Sequence, residues 1–403
     1  MAKLADRFHC TGCSACVNVC VHQAIIMQAD DEGFLQPKIE EGKCVKCGMC
    51  TKKCPELFPI KRVETSPEAY AMISYEDRNI SSSGGAFSVF SRWILKEGGV
   101  VFGAAIDGEF KVQHIAVEKI SDLSKLRGSK YVQSNMGDCY KQVRKQLLMN
   151  RKVLFTGTPC QVAGLYAFLG RRYEDLLITL DLICHGVPSQ QIFDTYLEKI
   201  RRLHHFKGLK MEKVCFRKLN SWSIVPAIKF EKTKFRILTL SENVYMNAFF
   251  KGIIFRESCF SCQYCNIQRV GTFTIGDFWG IGRHGKYFSK NIACGVSLVI
   301  DNEGKMGKLS SILDKYAYIE KRSMEEAVAE QHNLREPMLR LPQRNFAIKM
   351  FLDKKVTLTD ISQACGLPWK RNYNYLIVKT IKNIVYFFGL YNLYKTFIYK
   401  LGK

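Results

Sequence analysis

The sequence predicts two folds in series, a small α+β domain built around eight cysteines and a larger mixed α/β domain after it. Residues 10–20, CTGCSACVNVC, and residues 44–54, CVKCGMCTKKC, repeat one spacing, C-x2-C-x2-C-x3-C. From EAYAMISY onward, short apolar runs alternate with segments of helical periodicity, as in α/β proteins. The changes of pattern divide the chain into three expected regions, residues 1–60, 68–350 and a basic, aromatic, helical tail at 351–403.

Composition and charge narrow the class of protein. No apolar leader precedes the first motif, and seventeen cysteines, an odd number, favour metal ligation in a reducing compartment over a disulfide scaffold. We therefore expect a cytoplasmic protein. The formal charge of +23 lies in residues 61–403, because seven basic and seven acidic residues balance in residues 1–60. Such a field favours anionic partners, whereas the lack of a compact basic run argues against nucleic acid.

The repeated spacing is that of bacterial two-cluster ferredoxins, in which three cysteines of each motif wrap one 4Fe-4S cube and the fourth ligates the other. On that rule, one cluster is held by Cys10, Cys13, Cys16 and Cys54, and the second by Cys44, Cys47, Cys50 and Cys20. The intervening AIIMQADDEGFLQPKIE predicts a hairpin. Zinc is the alternative, but zinc sites use pairs of C-x2-C. We expect an α+β ferredoxin-like dicluster domain.

Two stretches of the second domain predict helices with functional N-termini. In SSSGGAFSVFSRWILKEGG, Gly84 and Gly85 precede a helical apolar pattern, so bare amides could hold a phosphate; a simple cap with a flexible turn is the alternative. In KVLFTGTPCQVAGLYAFLG, Thr158 suits the N-cap and Pro159 the first helical position. Cys160 then lies in the first turn, where the helix dipole favours a thiolate.

Four of the later cysteines in the second domain are candidate ligands. Cys184 comes at the carboxyl end of the strand in LLITLDLICHGVPS, the edge at which open α/β sheets bind ligands. RESCFSCQYCNIQRVGTFTIGDFWGIG contains Cys259, Cys262 and Cys265, a three-cysteine wrap that lacks its fourth ligand. Cys160 or Cys184 could supply it. This set favours a third 4Fe-4S cluster, with zinc or ordinary buried thiols as alternatives.

Taken together, these stretches resemble the beta subunits of coenzyme F-420-reducing hydrogenases and dehydrogenases, which carry an N-terminal dicluster ferredoxin domain. The matching pieces are SSGGAF, RGSKYVQS at 127–134, LFTGTPCQVAGL, DLICHGVPS, and SCFSC followed by TIGDFWGI. They occur in the family's order between residue 10 and about residue 300.

The resemblance implies a mixed α/β flavin-binding domain that binds FAD and a third 4Fe-4S cluster. The implied ligands of that cluster are Cys160, Cys184, Cys259 and Cys262, with Cys265 an extra thiol or a substitute. The implied flavin contacts are Ser83, Gly84, Gly85, Gly128, Ser129, Lys130, Tyr131 and Gln133. Asp277 is a further candidate, with a structural role preferred, and His185 is favoured as a hydrogen-bonding neighbour over a proton donor.

A flavin exchanges two electrons as hydride, whereas an iron–sulfur cluster carries one, so a protein with both converts between them. The sequence thus predicts an oxidoreductase that exchanges hydride with an unidentified organic substrate or a redox carrier. The alternative is a non-catalytic electron-transfer subunit that serves a partner enzyme. Residues 366–403 add seven basic and no acidic residues among many aromatics, which suits either a helical pair packed on the body or a peripheral membrane contact.

Overall fold

A computed structural model describes residues 3–60, 65–203, 209–217, 222, 224–239 and 241–367 of the chain. Residues 368–403, on which the hypothesis of a membrane-contacting tail depends, lie outside this described part. Within the described ranges, no helix combines the length and the apolar content that crossing a bilayer requires.

The N-terminal domain is a hairpin beside two short helices. Strands β1 (Ile25–Ala29) and β2 (Leu35–Ile39) pair antiparallel, as predicted. The Asp30 side chain closes the turn between them, because its Oδ1 accepts the backbone N–H groups of Glu32 and Phe34 at 3.0 and 2.9 Å. Each four-cysteine motif contains one short helix, α1 (Ala15–Val19) in the first and α2 (Met49–Lys52) in the second.

The larger domain alternates strands and helices, as the sequence predicts. Its strands are β3 (Glu68–Ser74), β4 (Val100–Ile106), β5 (Val112–Val117), β6 (Val153–Gly157), β7 (Leu177–Leu182), β8 (Met211–Cys215), β9 (Ala227–Phe230), β10 (Arg236–Ile237), β11 (Phe273–Asp277), β12 (Ser297–Asp301) and β13 (Ala317–Arg322). Its helices are α3 (Ala86–Lys96), α4 (Cys139–Leu148), α5 (Pro159–Leu169), α6 (Gln190–Leu203), α7 (Val244–Phe250), α8 (Met306–Leu313), α9 (Met324–Ala329), α10 (Arg344–Leu352) and α11 (Leu358–Ala364).

Eight strands form one mixed sheet in the order β13-β3-β12-β11-β7-β6-β4-β5. The central strands β4, β6, β7 and β11 are parallel, and the remaining pairings are antiparallel. The parallel strands are almost wholly buried, as expected for a sheet covered on both faces. Because these strands run parallel, their carboxyl ends lie at one edge of the sheet, where the site described below is located.

The apolar core continues past the boundary expected at residue 350. Helices α10 and α11 bury Phe351, Leu358 and Ile361 in the same cluster that contains the side chains of α6 and α7. Leu367 is also part of this cluster. Residues 351–367 therefore pack on the body, because the apolar spacing of α11 gives it a face that needs covering.

Two buried arginines join the N-terminal domain to the body. Arg256 is 1% exposed and donates from Nε to the carbonyl oxygen of Cys10 at 2.6 Å, and from Nη2 to that of Leu35 at 3.0 Å. Arg344, fully buried, pairs with Glu32 at 2.7 Å and with Glu257 at 2.8 Å. The two domains are thus held through groups that have left water, and separating them would leave those groups unpaired.

We expect Arg344→Met to lower the free energy of unfolding by roughly 3 kcal/mol, because two largely buried carboxylates lose their common cation. Arg340→Met is the matched control. Arg340 pairs with Glu257 at 2.8 Å but its side chain is 38% exposed, so its loss should cost about 1 kcal/mol or less. Anaerobic urea unfolding measures both values. Equal losses in the two variants would contradict this account of domain docking.

Candidate functional site

A cavity of about 310 Å³ opens at the carboxyl ends of the parallel strands. Gly103 and Ala104 of β4, Thr156 and Gly157 of β6, and Asp277 of β11 contribute to its wall. The loops that follow β7 and precede α3 close its sides. This is the place in an open α/β sheet where a ligand is expected, because helix N-termini and strand ends leave backbone groups unpaired there.

The serine and glycine run before α3 forms one side of the cavity. Ser83 and Gly85 line it, and Gly85 caps the helix with a φ of 91°, a backbone conformation that favours glycine. Gly84 does not line it, because this residue is packed against the sheet. A Cβ on Gly84 would come within 2.2 Å of the Met72 carbonyl oxygen. The role of Gly84 is therefore close approach to the strand rather than ligand contact.

The predicted flavin-contact segment 128–131 forms the opposite side. Gly128, with φ 81°, faces open space, and Ser129 lies beside it on the wall. Lys130 lines the cavity, and burial lowers its pKa to about 7. Its ammonium nevertheless donates to the carbonyl oxygens of Leu126 and Arg127 at 2.7 and 3.0 Å. The Lys130 ammonium thus stabilises this loop through hydrogen bonds, and the residue also lines the cavity.

Two further predicted contacts differ in placement. Tyr131 lines the cavity and packs its ring 4.6 Å from that of Phe249. Gln133 lies outside the cavity, where its Nε2 donates to the carbonyl oxygen of Thr11 at 2.9 Å and its Oε1 accepts from Arg256 at 3.1 Å. Gly12 permits this contact, since a Cβ there would come within 2.9 Å of the Arg256 guanidinium. Gln133 therefore ties the two domains together.

The floor of the cavity is a buried polar network that sequence reasoning missed. His114 Nε2 donates to the Thr156 carbonyl oxygen at 2.9 Å, so its Nδ1 accepts from the Ser134 hydroxyl at 2.8 Å. Gln161 Nε2 donates to the same hydroxyl oxygen at 2.9 Å. Burial lowers the pKa of His114 to about 4, which keeps the imidazole neutral. Ser134, Thr156 and Gln161 lie within quoted motifs, but those motifs do not show that the three meet His114, which comes from a separate element.

Asp277 lies on the cavity wall and forms an ion pair with Arg217. Its carboxylate accepts from Arg217 at 2.6 and 3.2 Å and from the Trp222 indole at 2.9 Å. Trp222 in turn stacks on Trp279, which lines the cavity, with ring centroids 4.8 Å apart. These partners occupy both carboxylate oxygens. The preferred structural role for Asp277 fits this arrangement.

His185 also lines the cavity, next to the aromatic ring of Phe249, with centroids 6.2 Å apart. Burial lowers its pKa, and the nearby Asp277 carboxylate only partly offsets that effect. A neutral imidazole therefore faces the cavity.

Four body cysteines come together beside the cavity. Thr158 caps α5 with a capping box, which places Cys160 in the first helical turn as predicted. Burial, together with the charges of Cys262 and Cys259, raises the pKa of the Cys160 thiol to about 12, although a hydrogen bond with Thr158 acts in the opposite direction. Burial likewise raises the pKa of Cys184, followed by the charges of the other three. Mutual effects of this kind require the four thiols to be close neighbours.

Cys265, the last cysteine of the segment 259–265, is buried and adjoins this group. Cys265 interacts with Cys262, and its Sγ lies 4.0 Å from the Asn333 amide nitrogen, which donates to it. Within the described part of the chain, no three His, Cys, Asp or Glu side chains are gathered closely enough to hold a single metal ion.

The N-terminal cysteines show contact between the two motifs. A small cavity of about 20 Å³ is lined by Cys10, Cys13, Cys16 and Cys54, so the last cysteine of the second motif joins the first three of the first. The charges of Cys10 and Cys54, after burial, raise the pKa of Cys16. Cys50 similarly feels the charge of Cys20. This crossed arrangement is the one that the ferredoxin spacing predicts.

Helix α5 brings the body thiols next to the first N-terminal set. A Cβ on Gly164, one turn after Cys160, would lie 3.1 Å from the Cys13 Cβ and 2.7 Å from the Tyr140 hydroxyl. That hydroxyl donates to the Gln161 carbonyl oxygen at 2.7 Å and lies 2.8 Å from that of Cys13. Glycine is required at position 164 for this approach. The cavity, the body thiols and the N-terminal thiols therefore form one continuous series.

The donor sets present fit iron–sulfur clusters, because they consist of thiols alone, and the four that line the small N-terminal cavity lie among mostly apolar neighbours. The cavity also has the character of a ligand site. The buried hydroxyls Ser82 Oγ and Thr156 Oγ1 lie on its wall, and neither has a hydrogen-bond partner among the described residues. A buried hydroxyl without a partner costs about 1–3 kcal/mol, which a polar ligand would offset.

Four cysteines that line one small cavity, within a repeated ferredoxin spacing, indicate an iron–sulfur protein. Comparison with known proteins agrees. Residues 9–57 match the 4Fe-4S dicluster domain family, and residues 150–327 match the family described as the C terminus of the beta subunit of coenzyme F420 hydrogenase/dehydrogenase. This match to the beta-subunit family, with a dicluster domain in front of it, confirms the resemblance inferred from the motifs.

Two individual proteins are similar to this chain. The coenzyme F420-dependent sulfite reductase of Methanocaldococcus jannaschii is 26% identical over 271 residues, which are 65% of this chain and 41% of the relative. The chain thus spans less than half of that relative's length. A solved chain of the F420-reducing [NiFe] hydrogenase complex from Methanosarcina barkeri has a TM-score of 0.42 and 18% identity, with 73% of this chain and 90% of that chain covered.

We expect Thr156→Val to raise the free energy of unfolding of the cofactor-free protein by about 1 kcal/mol, because it removes an unpaired buried hydroxyl. Ser134→Ala should lower it by roughly 1–3 kcal/mol, since His114 and Gln161 both lose a partner. Urea unfolding after removal of bound small molecules measures the two changes. Destabilisation of similar size in both variants would mean that Thr156 has no need of a ligand.

Proposed function

We propose that this chain is an iron–sulfur flavoprotein oxidoreductase that passes electrons between FAD and three 4Fe-4S clusters. The observation that carries the proposal is the position of Cys184, which lines the sheet-edge cavity and also belongs to the group of four body thiols. A redox group in the cavity would therefore be in contact with the cluster ligand itself. The matching dicluster domain supplies the other end of the path.

The residues divide into three proposed sets. The third cluster would be held by Cys160, Cys184, Cys259 and Cys262, with Cys265 as a neighbour that hydrogen-bonds to one ligand. FAD would contact the cavity wall at Ser83, Gly85, Gly128, Ser129, Lys130 and Tyr131. The hydroxyls of Ser82 and Thr156 would gain hydrogen bonds to it.

When bound, a flavin accepts a hydride as two electrons and releases them singly to clusters that each carry one. The chain's own residues would bind and orient it. Trp279, Phe249 and Tyr131 offer aromatic faces on the cavity wall for a planar ring. The neutral His185 beside them could hold a hydrogen bond without adding charge. His114 and Gln161 would fix the floor through their shared bonds to Ser134.

The volume of the cavity supports catalysis over simple electron transfer. It is large enough at about 310 Å³ to lie within the usual range of small-molecule sites. A hydride-exchanging substrate or carrier would enter here. The family that residues 150–327 match suggests a deazaflavin carrier or an organic substrate. The basic body, which accounts for the whole formal charge of +23, favours an anionic one.

Anaerobic purification followed by iron, sulfide and flavin quantitation tests the proposal directly. We expect about twelve irons and one flavin per chain, because each of three clusters holds four irons. About eight irons without flavin would restrict the protein to its dicluster domain and overturn the proposed role of the cavity.

The ligand set of the third cluster gives a sharper prediction. Cys184→Ala should remove about four irons per chain, because it deletes one of the four proposed ligands. Cys265→Ala is the matched control and should retain them, since Cys265 lies outside the group. Iron quantitation, with low-temperature paramagnetic resonance of the reduced protein, distinguishes the outcomes. Loss of iron in the control alone would show that Cys265 is the ligand in place of Cys184.

A further inference from the structure

Among the eight N-terminal cysteines, Cys47 alone is exposed. The partly exposed ones are Cys16, Cys20, Cys44 and Cys54, and the buried ones are Cys10, Cys13 and Cys50. Cys10 and Cys13, of the set next to the body, are each 8% exposed. Cys47 belongs to the second set. The second set is therefore the end of the series that reaches solvent. Any electron exchanged with another protein along the proposed path would cross the surface around Cys47.

This surface carries an uncommon concentration of exposed apolar side chains. Val21 is 84% exposed, Val45 57% and Met49 41%. Val21 directly follows the ligand Cys20 in the sequence, Val45 directly follows Cys44, and Met49 directly precedes Cys50. All three therefore surround the second set of thiols. Exposed apolar groups in a cluster, unlike single ones, indicate contact with another molecule.

Lysines form the charged part of the same surface. Lys46, Lys52 and Lys53 have no carboxylate partner among the described ion pairs, whereas Lys43 is paired with Glu40 at 2.7 Å. The acidic residues between positions 40 and 53 are Glu40, which is the partner of Lys43, and Glu41. The N-terminal domain is neutral as a whole, so this excess of positive charge is local to the second set of thiols.

We propose that this surface, defined by Val21, Val45, Met49, Lys46, Lys52 and Lys53 and called the Cys47 surface, docks an acidic one-electron carrier protein. The apolar residues would form the centre of the contact and the lysines its rim, as in other protein interfaces. An acidic partner matches the lysines in charge. The inference rests on the proposed function only in taking the second cluster as one terminus of the electron path.

The chemistry of the exchange is simple. One electron passes from the carrier's reduced cluster to the oxidised cluster held by Cys20, Cys44, Cys47 and Cys50, and no proton or bond is transferred. Contacts of this kind are small and short-lived, so long-range attraction sets much of their rate. Attraction between opposite charges weakens as salt shortens the Debye length. Reversing the lysine charges should therefore act chiefly on association at low ionic strength.

The test mixes the oxidised, cluster-containing full chain with a reduced, acidic [2Fe-2S] ferredoxin in a stopped-flow instrument at low ionic strength. For Lys46→Glu/Lys52→Glu we expect at least a roughly tenfold lower second-order rate constant, and loss of the fall in rate with added salt. Lys308→Glu/Lys315→Glu is the matched control, since it makes the same change in charge at α8 and just beyond it. It should change the rate less than about twofold.

A second variant separates the apolar centre from the rim. Val45→Ser/Met49→Ser should lower the rate while keeping the salt dependence of the unmodified protein. Iron content, measured for every variant, shows that the clusters are retained. Equal effects of the two double charge reversals would overturn the proposal. Because the reaction does not involve the cavity, a protein that lacked flavin would fail the proposed function yet still pass this test.

Discussion

The arrangement of this protein depends on a buried cation that has no buried carboxylate to balance it. None of the described carboxylates pairs with Arg256, whose donors instead reach backbone carbonyls and the amides Gln36 and Gln133. A guanidinium in such a position is costly unless its surroundings are fixed and polar. Its charge also lowers the pKa of Cys259, after burial and Cys262 have raised it. Arg256 thus links the fold of one domain to the thiols of the other.

Local patterns in the sequence were sufficient for much of the architecture. The crossed cysteine sets, the hairpin between them and the capped start of α5 are short-range features, so spacing and capping residues determine them. The grouping of Cys160 and Cys184 also follows from local sequence, because parallel strands end at the same edge. The family resemblance implied the remaining thiols and six residues that line the cavity in the structure.

What the sequence could not supply is long-range in origin. Gly84 and Gln133 belong to motifs that resemble ligand contacts, but Gly84 is needed against the backbone of β3 and Gln133 reaches the loop of the other domain. His114 belongs to no motif, and the position of Thr156 within LFTGTPCQVAGL does not show that it lines the cavity. Arg256 stands three residues before Cys259 in an unremarkable stretch. Such roles appear only once distant segments are brought together.

The contact between Gly164 and Cys13 has a consequence for how the protein would respond to oxygen. Proteins open in cooperative units, and elements that share a tightly packed contact open together. Helix α5 carries a thiol of the body set and touches a thiol of the N-terminal set, so one opening event would expose both. Oxidative damage to these two sites should therefore occur jointly, and their half-lives in air should be coupled, while the solvent-facing set around Cys47 decays independently and first.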